Sequence, residues 1–302
     1  MSRVLILGAS GMLGHKLCHL MPGYGHQVFG TVRKNAESLA RYTEVFGRCK
    51  LVGGVDVLND VALERAVSDT KPDFIINCVG LVKQHAAADD RLLAIAINAY
   101  LPHKLAVLAR EKKARLIHIS TDCVFDGSRG RYTEADLSDA RDVYGKSKYL
   151  GETTADEPAA LTLRTSFIGR ELQHPAHGLI EWFLAQDGKS IKGFSNAIYS
   201  GFTSLELGKI IALVIERTPE LSGLYQAAST AIDKFELLQL VKRIYGCGVT
   251  IVRDDAFQCD RSMLNERFRQ ATGYTAPSWS QMIEEMRKDA APYDRWFAET
   301  HA

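Results

Sequence analysis

The feature that most constrains the fold of this 302-residue chain is a glycine-rich turn between an apolar segment, residues 4–7, and a helical pattern. Its residues are Gly8, Ser10, Gly11, Met12, Leu13 and Gly14. Glycines at such a junction allow a tight turn, a close approach of the backbone to a pyrophosphate, and close packing of helix on strand. The helix N-terminus also offers free N–H groups to phosphate. We therefore expect these six residues to bind a dinucleotide; the alternative is a strand-to-helix turn without a ligand.

The first 165 residues alternate short apolar runs with helical patterns. The runs that indicate strands are residues 4–7, 27–32, 51–53, 74–77, 116–119 and 161–163, and the helical stretches include residues 11–21 and 89–113. This alternation predicts an α/β fold with a doubly wound parallel sheet, a Rossmann domain. Its ligand is expected at the carboxyl ends of the strands.

The second half of the chain has a looser pattern. Helices are predicted at residues 179–186, 205–217, 234–245 and 280–288, with short strands near 224–227 and 250–252. We therefore expect residues 1–165 to form the NAD(P)-binding Rossmann domain. Residues 166–302 then form mainly a smaller substrate-binding lobe, with some segments returning to the first domain and the active site in the cleft between the two.

Composition and charge exclude several classes of function. The net charge of +1 gives no field that favours nucleic acid or an anionic membrane. No apolar stretch approaches the ~18 residues of a membrane span, and the first apolar run is too short for a signal peptide. The six cysteines are scattered without metal-ligand spacing, so we predict a cytoplasmic protein with reduced thiols and no metal site.

A second constellation carries the chemistry. Tyr144 and Lys148 lie four residues apart, on one face of the helix predicted after the fifth strand, and Thr121 ends that strand. A tyrosine has a pKa of about 10 and is a poor acid at neutral pH, so a nearby ammonium is expected to lower it. Thr121 can orient a carbonyl oxygen. Tyr100 and Lys104 match the same spacing, but Pro102 lies between them and no hydroxyl motif precedes them, so we interpret that match as structural.

The residues after the second predicted strand indicate which nicotinamide is used. An NAD enzyme usually places an acidic residue there to hold the ribose diol. This chain has Arg33 and Lys34, two cations that suit a 2′-phosphate. NADPH is therefore the expected cofactor and NADH the alternative; the alternative for the two cations is a solvated helix start.

The motifs together resemble the extended short-chain dehydrogenase/reductases, and within them the dTDP-4-dehydrorhamnose reductase group. The matching motifs are the glycine loop, residues 120–127, residues 143–148 with Gly151 and Glu152, and residues 163–166. The resemblance implies reduction of the 4-keto group of a nucleotide-linked 6-deoxyhexose. It also implies adenine contacts from Asp56 and Val57, a border to the adenosine ribose from Cys78, Val79 and Gly80, sugar contacts from Thr121 and Asp122, and a diphosphate contact from Arg261.

Two departures from the family pattern concern the sugar. Cys123 replaces a usual tyrosine and Phe167 a frequent tryptophan, so a UDP-linked sugar is as plausible as a dTDP-linked one. Lys192 belongs to a Gly/Ser-rich segment, residues 192–203, that we expect to cover the cleft. Two other functions stay open: a nucleotide-sugar epimerase with tightly held NAD, and a non-catalytic NADP-binding regulatory subunit. If the protein forms an oligomer, we expect a homodimer.

Overall fold

The computed structural model describes residues 1–82, 90–154, 156–172, 176–289 and 291–296. The strands there are β1 (Arg3–Leu7), β2 (Gln27–Thr31), β3 (Cys49–Val52), β4 (Phe74–Asn77), β5 (Arg115–Thr121), β6 (Ala160–Thr165), β7 (Phe167–Ile168), β8 (Ser190–Tyr199), β9 (Phe202–Thr203), β10 (Gly223–Gln226), β11 (Ile232–Asp233) and β12 (Thr250–Asp260).

The α-helices of the described residues are α1 (Met12–Leu20), α2 (Thr43–Phe46), α3 (Asp60–Thr70), α4 (Arg91–Ala94), α5 (Leu101–Glu111), α6 (Val143–Leu150), α7 (Leu179–Leu184), α8 (Ser204–Arg217), α9 (Lys234–Tyr245), α10 (Glu266–Thr272) and α11 (Trp279–Lys288). A π-helix, Ile95–Tyr100, joins α4 to α5. Short 3-10 helices occupy Met21–Tyr24, Ala36–Leu39 and Asp122–Val124.

Seven strands form one parallel sheet in the order β10-β6-β5-β4-β1-β2-β3. The predicted α/β fold class is therefore confirmed. Both faces of the sheet are covered, because alternate residues of β1 enter two different core clusters: Val4 and Ile6 one, Leu5 and Leu7 the other. Strand β10 comes from beyond residue 165, so the second half of the chain contributes an edge strand to the first sheet.

The remaining strands build two small sheets, of order β11-β8-β12 and β7-β9. The segment 192–203, predicted as a covering loop, is instead mostly strand β8. The buried positions of β8 include small residues, so the sequence does not show the alternation of apolar and polar residues that is typical of a strand. At Gly193 there is no room for a larger residue, because a Cβ would lie 2.8 Å from the Phe235 ring. Strand β12 is also longer than predicted. The helices expected near 179–186, 205–217, 234–245 and 280–288 are present as α7, α8, α9 and α11.

The long helical stretch predicted at residues 89–113 is present as α4, the π-helix and α5, although residue 89 lies outside the described residues. Arg91–Glu111 is long and apolar enough to span a membrane, so the expectation that no segment approaches that length is wrong. Half of it is nevertheless buried within the protein, and Leu101, Leu105 and Leu108 belong to the second core cluster. A core helix of a globular fold meets the same criteria of length and apolarity.

Candidate active site

The residues predicted to hold a dinucleotide follow the carboxyl ends of four adjacent strands. The glycine loop follows β1, Arg33 and Lys34 follow β2, Asp56 and Val57 follow β3, and Cys78, Val79 and Gly80 follow β4. Because these strands are parallel neighbours, all of these residues lie at one edge of the sheet, as predicted for a doubly wound fold.

The glycine loop has the geometry that a diphosphate requires. Gly8 adopts φ +83°, which favours glycine, and a Cβ there would lie 3.1 Å from Val79 Cγ2. A Cβ at Gly14 would overlap the Gly8 carbonyl, so only glycine lets α1 pack this closely on the end of β1. Gly11 caps α1 without a side-chain hydrogen bond, which leaves first-turn N–H groups available to an anion. These features fit a dinucleotide diphosphate.

The other cofactor candidates are arranged around this loop. Arg33 and Lys34 are exposed, and neither forms an ion pair with any residue that the structure describes. Asp56 Oδ1 accepts the Leu58 N–H at 3.0 Å, which fixes the turn after β3. Asn77 Oδ1 accepts the Val79 N–H at 3.1 Å, which shapes the loop after β4.

The structure brings Thr121 and Tyr144 together. Thr121 ends β5, and its Oγ1 accepts the Cys123 N–H at 3.1 Å and donates to Asp122 Oδ1 at 3.2 Å. The same hydroxyl hydrogen-bonds to the Tyr144 phenol. Two hydroxyl groups, from β5 and α6, therefore meet beyond the carboxyl end of the central sheet, where a carbonyl oxygen could contact both.

Gly145 explains how α6 comes this close to Thr121. A Cβ at this position would overlap the Cys123 carbonyl oxygen and would lie 2.6 Å from the Ala140 Cβ. The helix begins at Val143, where the Asp142 side chain caps it by accepting the Gly145 N–H at 2.8 Å. Gly145, which lies between Tyr144 and Lys148, is therefore needed for α6 to pack against the loop that follows Thr121.

Lys148 is buried, and its Nζ donates to the Ile119 carbonyl at 2.7 Å. Burial lowers its pKa to about 8, partly offset by Glu152. The pKa of Tyr144 is raised by burial, and the hydrogen bond with Thr121 opposes this shift. The expectation that Lys148 lowers the pKa of Tyr144 is therefore wrong for the chain alone, because the ammonium is held by β5 and desolvation of the phenol dominates.

A buried charge network supports the end of β5. Ser120 Oγ donates to Glu152 Oε1 at 2.6 Å, and Arg164 donates to both Glu152 oxygens at 2.8 and 2.7 Å. Ser120 and Arg164 are register partners on β5 and β6. Through Glu152, the bidentate pair and the Ser120 hydrogen bond link both strands to the end of α6. The link on β5 is at Ser120, the residue before Thr121.

The predicted substrate residues divide into two groups. Asp122 and Cys123 adjoin Thr121, and Arg261 donates from Nε to the Phe125 carbonyl at 2.8 Å, in the same loop. Phe167 begins β7, two residues after Thr165, the register partner of Thr121. Lys192 is not brought to this site. Its side chain is 72% exposed, pairs with Asp254 at 2.9 Å, and lies seven residues along β8 from Tyr199, about 23 Å in an extended strand.

Two residues of the site escaped the sequence interpretation. Asn98 lies in the π-helix, where its Nδ2 donates to Ser147 Oγ at 3.2 Å and to the Leu81 carbonyl at 3.0 Å. This joins the loop after β4 to α6, and the signal in the sequence is a single amide inside an apolar run. Lys234, at the start of α9, is the other. Tyr199, in the segment that we expected to cover the cleft, ends β8.

The competing Tyr-x-x-x-Lys match has no such setting. Tyr100 is 61% exposed, and Lys104 forms an ion pair with Asp60 on the neighbouring helix. The motif therefore lies on the outer side of the α4–α5 region, in keeping with its structural interpretation.

Comparison with known proteins settles the family. The family described as RmlD substrate binding domain matches residues 2–186, more than half of the chain. The chain belongs to this family. A dTDP-4-dehydrorhamnose reductase of Streptomyces griseus is 34% identical over 151 residues, which is 50% of this chain and 43% of that protein. The match thus spans less than half of that relative.

Solved structures share the fold over nearly the whole chain. A dTDP-4-dehydrorhamnose reductase from Bacillus anthracis in complex with NADP aligns with a TM-score of 0.78 at 22% identity, covering 96% of this chain and 100% of that chain. The Bordetella bronchiseptica enzyme WbmG in complex with NAD and UDP aligns with a TM-score of 0.75 at 19% identity, covering 99% and 96%.

Proposed function

We propose that this protein reduces the 4-keto group of a nucleotide-linked 4-keto-6-deoxyhexose, with NADPH as the hydride donor. The observation that carries this proposal is the meeting of the Thr121 and Tyr144 hydroxyl groups beside a glycine loop that suits a dinucleotide. Family membership and the reductase names of its relatives support the same reaction class.

Each residue has a distinct part in this proposal. Tyr144 donates the proton that the nascent alkoxide needs, and Thr121 holds the keto oxygen. Lys148 is tied to β5 through the Ile119 carbonyl, and it would hydrogen-bond the nicotinamide ribose and supply positive charge. When bound, NADPH supplies the hydride. The buried Arg164–Glu152 pair keeps Thr121 in place by fixing the ends of β5 and α6.

The positive charges that follow β2 favour NADPH over NADH. Arg33 and Lys34 are exposed cations without ion-pair partners among the described residues, at the position where a 2′-phosphate would lie. Arg33→Ala should raise the KM for NADPH about ten-fold or more and leave that for NADH unchanged. Lys50→Ala, on the neighbouring strand β3, is the matched control, since it also removes an exposed cation. Equal effects of both variants would remove the basis for this preference.

Turnover separates the ketoreductase from its alternatives. Oxidation of NADPH at 340 nm is followed with dTDP- and UDP-linked 4-keto-6-deoxyhexoses. Consumption of NADPH with either sugar supports the reductase and names the nucleotide. An epimerase would instead purify with bound NAD and consume no NADPH, and a regulatory subunit would bind NADP(H) without turnover of any sugar.

The cellular location and the oligomeric state of the protein are also proposals. None of the six cysteines forms a disulfide bond, which supports a cytoplasmic location. A homodimer stays a prediction, and light scattering of the purified protein measures it. Among the described residues, no group of three or more His, Cys, Asp or Glu could hold a metal ion.

A further inference from the structure

Lys234 occupies an electrostatically costly position on the wall of the site. Its Nζ lies 3.7 Å from the centroid of the Tyr199 ring, because β11 pairs Ile232 with Tyr199 and so brings the start of α9 to the end of β8. As the first residue of α9, this cation opposes the helix dipole. None of the residues that the structure describes forms an ion pair with it. Burial lowers its pKa to about 8.

The hydroxyl of Tyr199 is a second unsatisfied group at the same place. The residue is 4% exposed, and its Oη has no hydrogen-bond partner within the described part of the chain. Leaving a buried hydroxyl unpaired costs its full desolvation free energy. A stacked ammonium and phenol that both lack an acceptor point to a ligand that brings acceptor oxygens.

The charges around this pair identify the ligand as an anion. Lys234 interacts electrostatically with Asp122, Cys123 and Cys259, and Arg261 interacts with the same three residues and with Asp142. Two cations therefore converge on one wall of the cleft, beside Thr121, and Asp122 is the carboxylate that they share. One oxygen of Asp122 already accepts the Thr121 hydroxyl. The Lys234 ammonium and the Tyr199 hydroxyl still lack an acceptor among the described residues, and such donors suit phosphoryl oxygens.

We propose that Lys234 and Tyr199, together with Arg261, bind the diphosphate of the nucleotide-sugar substrate and so position the keto group at Tyr144. This assignment rests on the proposed function, because the diphosphate is that of the nucleotide sugar. Lys234 and Tyr199 are positioning residues here: they hold the end of the sugar opposite the reacting carbonyl.

Calorimetric titration tests the assignment without catalysis. dTDP, UDP and the corresponding monophosphates are titrated into the wild-type protein, Lys234→Met, Tyr199→Phe and Lys192→Met. Lys234→Met should weaken the nucleoside diphosphates roughly 10- to 100-fold and Tyr199→Phe a few-fold, with much smaller effects on the monophosphates. The Kd for NADPH should stay unchanged. Lys192→Met, which removes an exposed lysine remote from the site, should bind like wild type.

Several results would overturn the proposal. These are unchanged diphosphate affinity in Lys234→Met, equal losses for mono- and diphosphates, or no binding of either diphosphate by the wild type. If Lys234→Met also lost NADPH binding, Tyr199→Phe, which keeps the ring and its packing, would decide the matter, and unchanged diphosphate affinity there would refute it. With a turned-over sugar, Lys234→Met should raise KM more than it lowers kcat. Diphosphate binding without ketoreductase turnover would contradict the proposed function and leave this inference standing.

Discussion

Replacing Lys148 by methionine should make the cofactor-free protein more stable while abolishing its activity. The ammonium of Lys148 is buried, and burial lowers its pKa from 10.5 to about 8. This difference corresponds to about 3 kcal/mol of destabilisation at neutral pH. Methionine avoids that cost but loses the charge-assisted hydrogen bond to the Ile119 carbonyl, about 1.5–3 kcal/mol. The net expectation is a gain of up to about 1.5 kcal/mol in the free energy of unfolding at pH 7.

The pH dependence of this gain has a definite sign. Between pH 8 and 10.5 the unfolded chain keeps the Lys148 proton while the folded chain has released it, so the stability of the wild type rises with pH in this window. The advantage of Lys148→Met should therefore be complete below pH 8 and shrink as the pH rises towards 10.5. Because other groups titrate equally in both proteins, only the difference between variant and wild type is interpreted.

Urea unfolding of both cofactor-free proteins at pH 7 and pH 10 measures this effect. Lys146→Met is the matched control, since Lys146 is exposed on the same helix and its removal should change stability little at either pH. A Lys148→Met protein that is less stable than wild type at pH 7, or one whose difference from wild type is the same at pH 7 and 10, would refute the reasoning.

Three further predictions concern the site and its support. Tyr144→Phe should lower kcat by about 10²- to 10⁴-fold with little change in NADPH binding, whereas Tyr149→Phe, exposed on the same helix, should turn over normally in the same spectrophotometric assay. Gly14→Ala should abolish NADPH binding in a fluorescence titration, since its Cβ overlaps the Gly8 carbonyl, while Gly23→Ala meets nothing within 4 Å and should bind normally. Arg164→Met should lower the free energy of unfolding by about 3–5 kcal/mol because it strands Glu152, and the Glu152→Leu/Arg164→Met double variant should recover much of that loss in urea unfolding. A double variant no more stable than Arg164→Met would argue against an uncompensated charge as the cause.

The sheet and the Thr121–Tyr144 pair were predictable because their signals are local. Buried parallel strands are continuous apolar runs, and a Tyr and a Lys four apart share a helix face whatever the rest of the chain does. The need for glycine at position 14 likewise follows from one local contact, with the Gly8 carbonyl at the end of β1.

The features that were missed depend on contacts distant in sequence. Strand β8 was predicted as a loop because its inward positions include Gly193, whose small size is set by Phe235 on α9. The role of Lys234 depends on the pairing of β11 with β8, which no local pattern encodes. The prediction that Lys148 lowers the pKa of Tyr144 was wrong because burial of the phenol raises that pKa. This burial is a property of the assembled site, which the local sequence does not show.

The proposed reaction is hydride transfer to C4 of a nucleotide sugar at the Thr121–Tyr144 site. Transfer of deuterium from labelled NADPH is the most direct measurement of this step. The enzyme is supplied with NADPH deuterated at nicotinamide C4 on either face and with a dTDP- or UDP-linked 4-keto-6-deoxyhexose, and the product is analysed by NMR and mass spectrometry. We expect one deuterium at sugar C4 from one of the two labelled forms, and almost none with Tyr144→Phe in the same time. Product without deuterium from either form, or wild-type transfer by Tyr144→Phe, would contradict this expectation.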